Sequence, residues 1–248
     1  MNMNEVKKKK FEKIFSTFVL ISFVVPIIFL IFRIIVDPAE GSAFGDVERT
    51  RSDYILMLIQ CVLGAFALVL PTFLTRKYNI RIPTMMSIFY LVFLYAAIFL
   101  GEVRNFYHVV PYWDTILHAF SGGMIGALGF SFVSLLNNIE NLHLHLTPLF
   151  VAFFAYCFAI TLGVVWEIYE FVFDGVLGLN MQKFLLESGE ALVGRNAIVD
   201  TMQDLIVDSA GAFIMCTIGY VSLKYKKGWV EKLLIKKKWL VFLITSFL

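Results

Sequence analysis

The sequence predicts an all-α, polytopic membrane protein with six transmembrane helices and both termini in the cytoplasm. Three observations carry this. Of the 248 residues, 59% are hydrophobic and 16% charged, with a mean hydropathy of +0.80, whereas soluble domains are nearer half apolar and a quarter charged. Apolar runs of about 20 residues recur along the chain, the length a helix needs to cross about 30 Å of hydrocarbon. The charges are also segregated. An even number of spans puts the termini and the turn at 76–81 on one side, and that side holds 15 of the 21 Lys+Arg but only 4 of the 19 Asp+Glu. Cations gather on the cytoplasmic side of membrane proteins, so that side is inside. No polar stretch is long enough to bury a core of its own, so residues 1–248 form a single transmembrane domain.

The elements follow in order. A basic start (Lys7 to Lys10, then Lys13) precedes the first span, 14–36, which is too long for a signal-peptide core and contains Pro26 as a candidate kink. A polar loop leads to the second span, 53–74, and Arg76, Lys77 and Arg81 mark a short basic turn before the third, 82–100. The fourth span is 113–136, and the loop NNIENLHLHL separates it from the fifth, 147–172. A longer connector, 173–199, contains a predicted short surface helix around 181–191, and the sixth span is 200–223. Residues 224–248 form a basic cytoplasmic or interfacial tail, because its ten apolar terminal residues reach only about 15 Å as a helix. The Lys runs fix topology and meet anionic lipid rather than nucleic acid. Cys61, Cys157 and Cys216 all fall in apolar runs without a C-x-x-C pattern and read as small buried hydrophobes.

With this topology the unusual polar residues gather at the outer leaflet. Asp200, Asp204 and Asp208 recur every fourth residue, so they share one helix face. Asp208 lies about 12 Å deeper than Asp200 at 1.5 Å per residue. Each ionised Asp costs about 2.5–3.5 kcal/mol at the bilayer centre and less near the interface. Span four begins with Trp113 and Asp114 and carries His118 one turn deeper, and span five brings Glu167 and Glu170 in its last two turns. Six carboxylates thus face Arg195, just before span six, and His118. The surplus charge must be protonated, solvated or bound to metal. An oxygen-rich set with one His suits Mg²⁺, Mn²⁺ or Zn²⁺. Without metal, His118 oriented by Asp114 is a candidate general base and a buried Glu a candidate acid. A hydrogen-bonded network joining three helices accounts for the same residues without chemistry.

Small residues support convergence of these helices. Gly122 and Gly126 make a small-x-x-x-small step after His118, and Gly211 follows Asp208, which lets spans four and six approach closely. His143 and His145 form an H-x-H in a cytoplasmic loop, while Glu102, Arg104 and His108 read as a solvated outer connector.

Asp114-x-x-x-His118, the later acids, Arg195 and Asp204-x-x-x-Asp208-x-x-Gly211 together resemble the VanZ-like family of bacterial membrane proteins, whose pattern is D-x-x-x-H, E-x-x-Q, then an Arg leading to D-x-x-x-N-x-x-G. The wording WDTILHAFSGG and DTMQD is similar to the YjdF-like group of uncharacterised membrane proteins. The likeness covers roughly residues 110–220. Glu170 stands where the VanZ-like pattern has Gln, and Asp208 where it has Asn, so both departures add negative charge. The resemblance implies a multi-pass protein of the bacterial cytoplasmic membrane that serves the cell envelope.

The expectation is therefore an outward-facing site acting on an envelope lipid precursor or phosphate headgroup. Asp200, Asp204 and Asp208 would be metal ligands, Glu167 and Glu170 ligands or acid/base, and His118 the base beside Asp114. Arg195 and Trp113 would hold substrate. A cation- or proton-coupled transporter and a non-catalytic membrane partner are the alternatives.

Overall fold

The computed structural model describes residues 3–36, 43–44, 47–48, 51–137, 146–186 and 189–237. Six of its helices are long and apolar enough to cross a membrane. They are α1 (Met3–Val36), α2 (Arg51–Lys77), α3 (Thr84–Leu94, continued by a π-helical stretch Tyr95–Val103), α5 (Trp113–Asn137), α6 (Pro148–Leu177) and α7 (Val199–Lys224). A single turn, α4 (Phe106–Val109), sits between α3 and α5. Two short antiparallel pairs complete the fold: β1 (Ala43–Phe44) with β2 (Val47–Glu48), and β3 (Ile80–Arg81) with β4 (Lys236–Lys237). His143, His145 and the apolar end at 239–248 lie outside the described residues.

The helices form two packed groups. In one, α1 crosses α2 and α3 around Val19, Phe23 and Leu94. In the other, α5, α6 and α7 enclose Phe130, Val133, Ala155 and Cys216. Pro71 inside α2 is tolerated because its effect is answered locally. Pro71 lacks the N–H that would bond the Ala67 carbonyl four residues back. The Tyr90 hydroxyl on α3 donates to that carbonyl at 2.9 Å, which replaces the missing bond where no water is present. In the π-helical stretch the Arg104 N–H bonds the Phe99 carbonyl five residues back. The Trp113 indole N–H donates to Ala96 O there at 3.3 Å.

The α5–α7 crossing is set by two glycines. A Cβ at Gly122 would strike the Asp208 backbone carbonyl, and a Cβ at Gly211 would strike that of Ala119. The two backbones therefore touch, as the small-residue spacing predicts. The segment after α7 packs back on the bundle. Ser222 Oγ accepts from the N–H groups of Trp229 (3.0 Å) and Val230 (3.3 Å), and Val230 is buried.

Two expectations are corrected. The fifth span runs to Leu177 and ends at Gly178, whose φ of 66° is the left-handed cap glycine adopts readily. Glu170 therefore lies about two turns from the helix end and Glu167 nearly three, deeper than the last two turns. The described residues of 181–191 form turns and a Leu185–Ala191 β-bridge, not a helix. Asn180 explains this: its side chain accepts from Leu185 N–H and donates to Leu185 O, a local pairing that competes with helix.

Candidate functional site

Near the end of the bundle where α5 and α7 begin, and beside the final turns of α6, the acids come together. His118 on α5 is the hub. Its Nδ1 lies 3.2 Å from Asp208 Oδ2, and its Nε2 lies 3.6 Å from Asp114 Oδ1 and 4.0 Å from Asp204 Oδ2. Asp208 is placed to accept a proton carried on Nδ1, and Nε2 faces Asp114 and Asp204. Ser121 Oγ donates to Asp208 Oδ1 at 2.9 Å and fixes the carboxylate from its other oxygen. The orienting partner of His118 is thus Asp208, not Asp114 as the four-residue spacing predicts.

Helix geometry explains why α7 serves the ring twice. Asp204 and Asp208 lie one turn apart on one face, and His118 sits between them across the glycine-mediated contact. Asp204, Asp208 and His118 are all buried. One ligand atom from each of Asp114, His118 and Asp204 falls within 4.8 Å of the others. Asp200, the third of the expected ligands, turns instead to a lysine.

That lysine is Lys183, in the connector between α6 and α7. Its Nζ pairs with Asp114 Oδ2 and, at 2.8 Å, with Asp200 Oδ1. Partial burial alone would lower the ammonium pKa, but Asp114 and Asp200 outweigh it and hold the group above the ordinary lysine value. Arg195 does not take this part: it is exposed and has no ion pair among the described residues. Trp113 is half-buried, with its indole bonded to Ala96 and its ring 5.0 Å from Phe106, so it supports α3 rather than facing the cluster.

The α6 acids differ from one another. Glu170 accepts from Trp166 Nε1 at 2.9 Å. Glu167 is only 5% exposed; its carboxylate makes no hydrogen bond of ordinary geometry, and the side chain of Gln182 is the polar group that approaches it. Asp200 Oδ2 is likewise buried and unpartnered. Leaving such groups unmatched costs about 1–3 kcal/mol each, and more when charged. Packing does not require this arrangement.

Two residues of the site were not singled out from sequence. Asp174, buried one turn beyond Glu170, accepts from Met181 N–H (2.7 Å) and Gln182 N–H (3.0 Å) and ties the connector to α6. Its signal was present, because it extends the Glu170 stripe by four residues. Lys183 had a signal too, as the one lysine between Lys77 and Lys224. Glu102 departs from the solvated reading: it is half-buried and accepts from Gln60 Nε2 at 3.0 Å, while Arg104 and His108 are exposed.

In chemical terms the cluster is an acid-rich pocket with one oriented imidazole and one tethered ammonium. Lys183 answers Asp114 and Asp200, and backbone N–H groups answer Asp174. Glu167 has only the Gln182 side chain near it.

An uncharacterised protein of Thermotoga maritima is 31% identical over 130 residues, which make up 52% of this chain and 57% of that relative. The chain thus spans a little over half the length of the relative it matches. No solved structure matches the chain. The family model described as a predicted membrane protein (DUF2238) matches residues 18–225, so the chain belongs to that family of integral membrane proteins.

Proposed function

We propose that this integral membrane protein is a divalent-metal enzyme of the bacterial cytoplasmic membrane acting on the phosphate-bearing headgroup of an envelope lipid, with its site at the outer leaflet. The observation that carries this is the convergence of Asp114, His118 and Asp204 within 4.8 Å; Glu167 on α6 adds a buried carboxylate that makes no hydrogen bond of ordinary geometry. The donor set fits a hard or borderline cation: carboxylate oxygens and one imidazole whose other nitrogen is held by a carboxylate, the usual support of a metal-bound His. Asp114, His118 and Asp204 would hold the ion, and the buried Glu167 is a candidate for a further oxygen donor. When bound, such an ion polarises a phosphoryl oxygen or activates water.

The chain's own residues do the rest. Asp208 and Ser121 fix the His118 ring. Lys183 offers an ammonium at the mouth, the place at which an anionic headgroup would arrive. The apolar walls of the bundle keep the cluster in a low-dielectric setting where these charges act strongly. The likeness to the VanZ-like and YjdF-like groups supports the envelope assignment, and the segregation of Lys and Arg supports the outward orientation.

The test is elemental analysis of detergent-purified protein beside Asp204→Asn. A stoichiometric divalent metal in the wild type, lost in a variant that remains folded and monodisperse, is the expected result. A metal-free wild type overturns the metal reading. A variant that fails to fold assigns the cluster to helix packing instead.

A further inference from the structure

We infer that the groove between α6 and α7 holds the hydrocarbon chain of the lipid whose headgroup the cluster receives, an inference that rests on the reading above. The groove has a volume of about 590 Å³ and is lined by Tyr156, Cys157, Ile160, Val164, Leu205 and Asp208, among others. This lies within the range of about 300–1,000 Å³ of small-ligand sites, and a helix about 10–12 Å across does not fit. All its walls belong to two membrane spans, so its open side meets lipid.

Its wall is mostly apolar, and its side-chain hydroxyls are engaged within the protein. Thr161 Oγ1 donates to Cys157 O at 2.8 Å, and the Tyr156 and Ser209 hydroxyls share one hydrogen bond at 2.6 Å. Asp208 is the one charged residue of the wall, and its Oδ2 is also the atom that orients His118. The groove therefore borders the cluster at Asp208. Gly163 lets the Asp208 carboxylate lie against α6 at the end of the groove: a Cβ there would sit 2.9 Å from Asp208 Oδ2. A chain lying along α6 would thus bring its polar end to the acids. Inside a bilayer this gains no hydrophobic energy, since lipid is as apolar as the groove. What the groove supplies is position.

The experiment uses the full chain in phosphatidylcholine vesicles containing phosphatidate with a diazirine in its acyl chain. After irradiation, labelling of 157–164 is compared with labelling around Phe66, a lipid-exposed site on α2. Groove labelling should exceed the α2 level, fall with excess unlabelled phosphatidate but not with added phosphatidylcholine, and drop to the α2 level in Cys157→Trp. Cys157 is exposed on the groove wall, so this variant fills the groove without touching the cluster. Equal labelling at both places, or labelling unchanged by Cys157→Trp, overturns the inference and leaves bulk lipid as the occupant. Metal content of the same wild-type sample separates the two ideas. Metal without selective labelling sinks the groove alone, and selective labelling without metal sinks the metal reading alone.

Discussion

Replacing Gly122 by Ala tests whether backbone contact between α5 and α7 assembles the cluster. The new Cβ would meet the Asp208 carbonyl, with Asp208 C and Cα both at 3.0 Å. Carbon atoms prefer about 3.5–4.0 Å, so the helices must part by roughly 0.5–1 Å. The contact partner is backbone and has no rotamer to yield. Overpacking of this kind costs about 1–3 kcal/mol, offset by up to about 1 kcal/mol of improved helix propensity. The net expectation is a loss of about 1–2 kcal/mol. The neighbouring Gly123→Ala is the control, since its Cβ would meet Gly211 O at an ordinary 3.6 Å. It should be neutral or slightly stabilising. Separation also stretches the His118–Asp208 bond, which at 3.2 Å is already near the long end of its range. The assay is denaturant unfolding in mixed micelles followed by tryptophan fluorescence, with metal content measured on each variant. Equal stability of Gly122→Ala and Gly123→Ala would refute the argument.

Three further outcomes follow from the site. Lys183→Met removes the cation of Asp114 and Asp200 and should cost about 1 kcal/mol, the upper end for a solvent-screened pair. Because the folded-state pKa of Lys183 is raised, its contribution is fully present below the ordinary lysine pKa and is lost only above it. The stability difference between wild type and variant should therefore stay constant from about pH 6 to pH 9, well below the ordinary lysine value; its disappearance by pH 9 would contradict the pairing. Asp174→Ala strips the acceptor from Met181 and Gln182 N–H, bonds to a charged group of about 1.5–3 kcal/mol each. Hydrogen exchange of those two amides should accelerate while α5 remains protected, and unchanged exchange would show that the connector is held elsewhere. Glu167→Leu should raise the stability of metal-free protein by about 1–3 kcal/mol, because an unmatched buried carboxyl is removed, while reducing metal binding. A destabilised variant would mean that Glu167 is satisfied in the fold.

The membrane class, the six spans and the acid stripe are decided locally, and so were legible in the chain. A run of apolar residues long enough to cross hydrocarbon must be helical, since only a helix satisfies its own backbone there. A four-residue repeat of Asp must then share a face. The small-residue step from Gly122 to Gly126 indicated a close helix pair for the same reason, and its partner is α7. Partnership within the site was decided by tertiary structure alone. Spacing made Asp114 the natural companion of His118, four residues away on the same helix, yet the orienting bond comes from Asp208, ninety positions along. Arg195 stood nearest to α7 in sequence, but the cation that reaches the acids is Lys183, carried there because Asp174 captures the connector backbone. The groove likewise arises only from the way α6 and α7 pack, with Gly163 against Asp208 at one end. Local periodicity sets which face a residue occupies; what that face meets depends on how the helices cross, and the crossing is set by backbone contacts between residues distant in the chain.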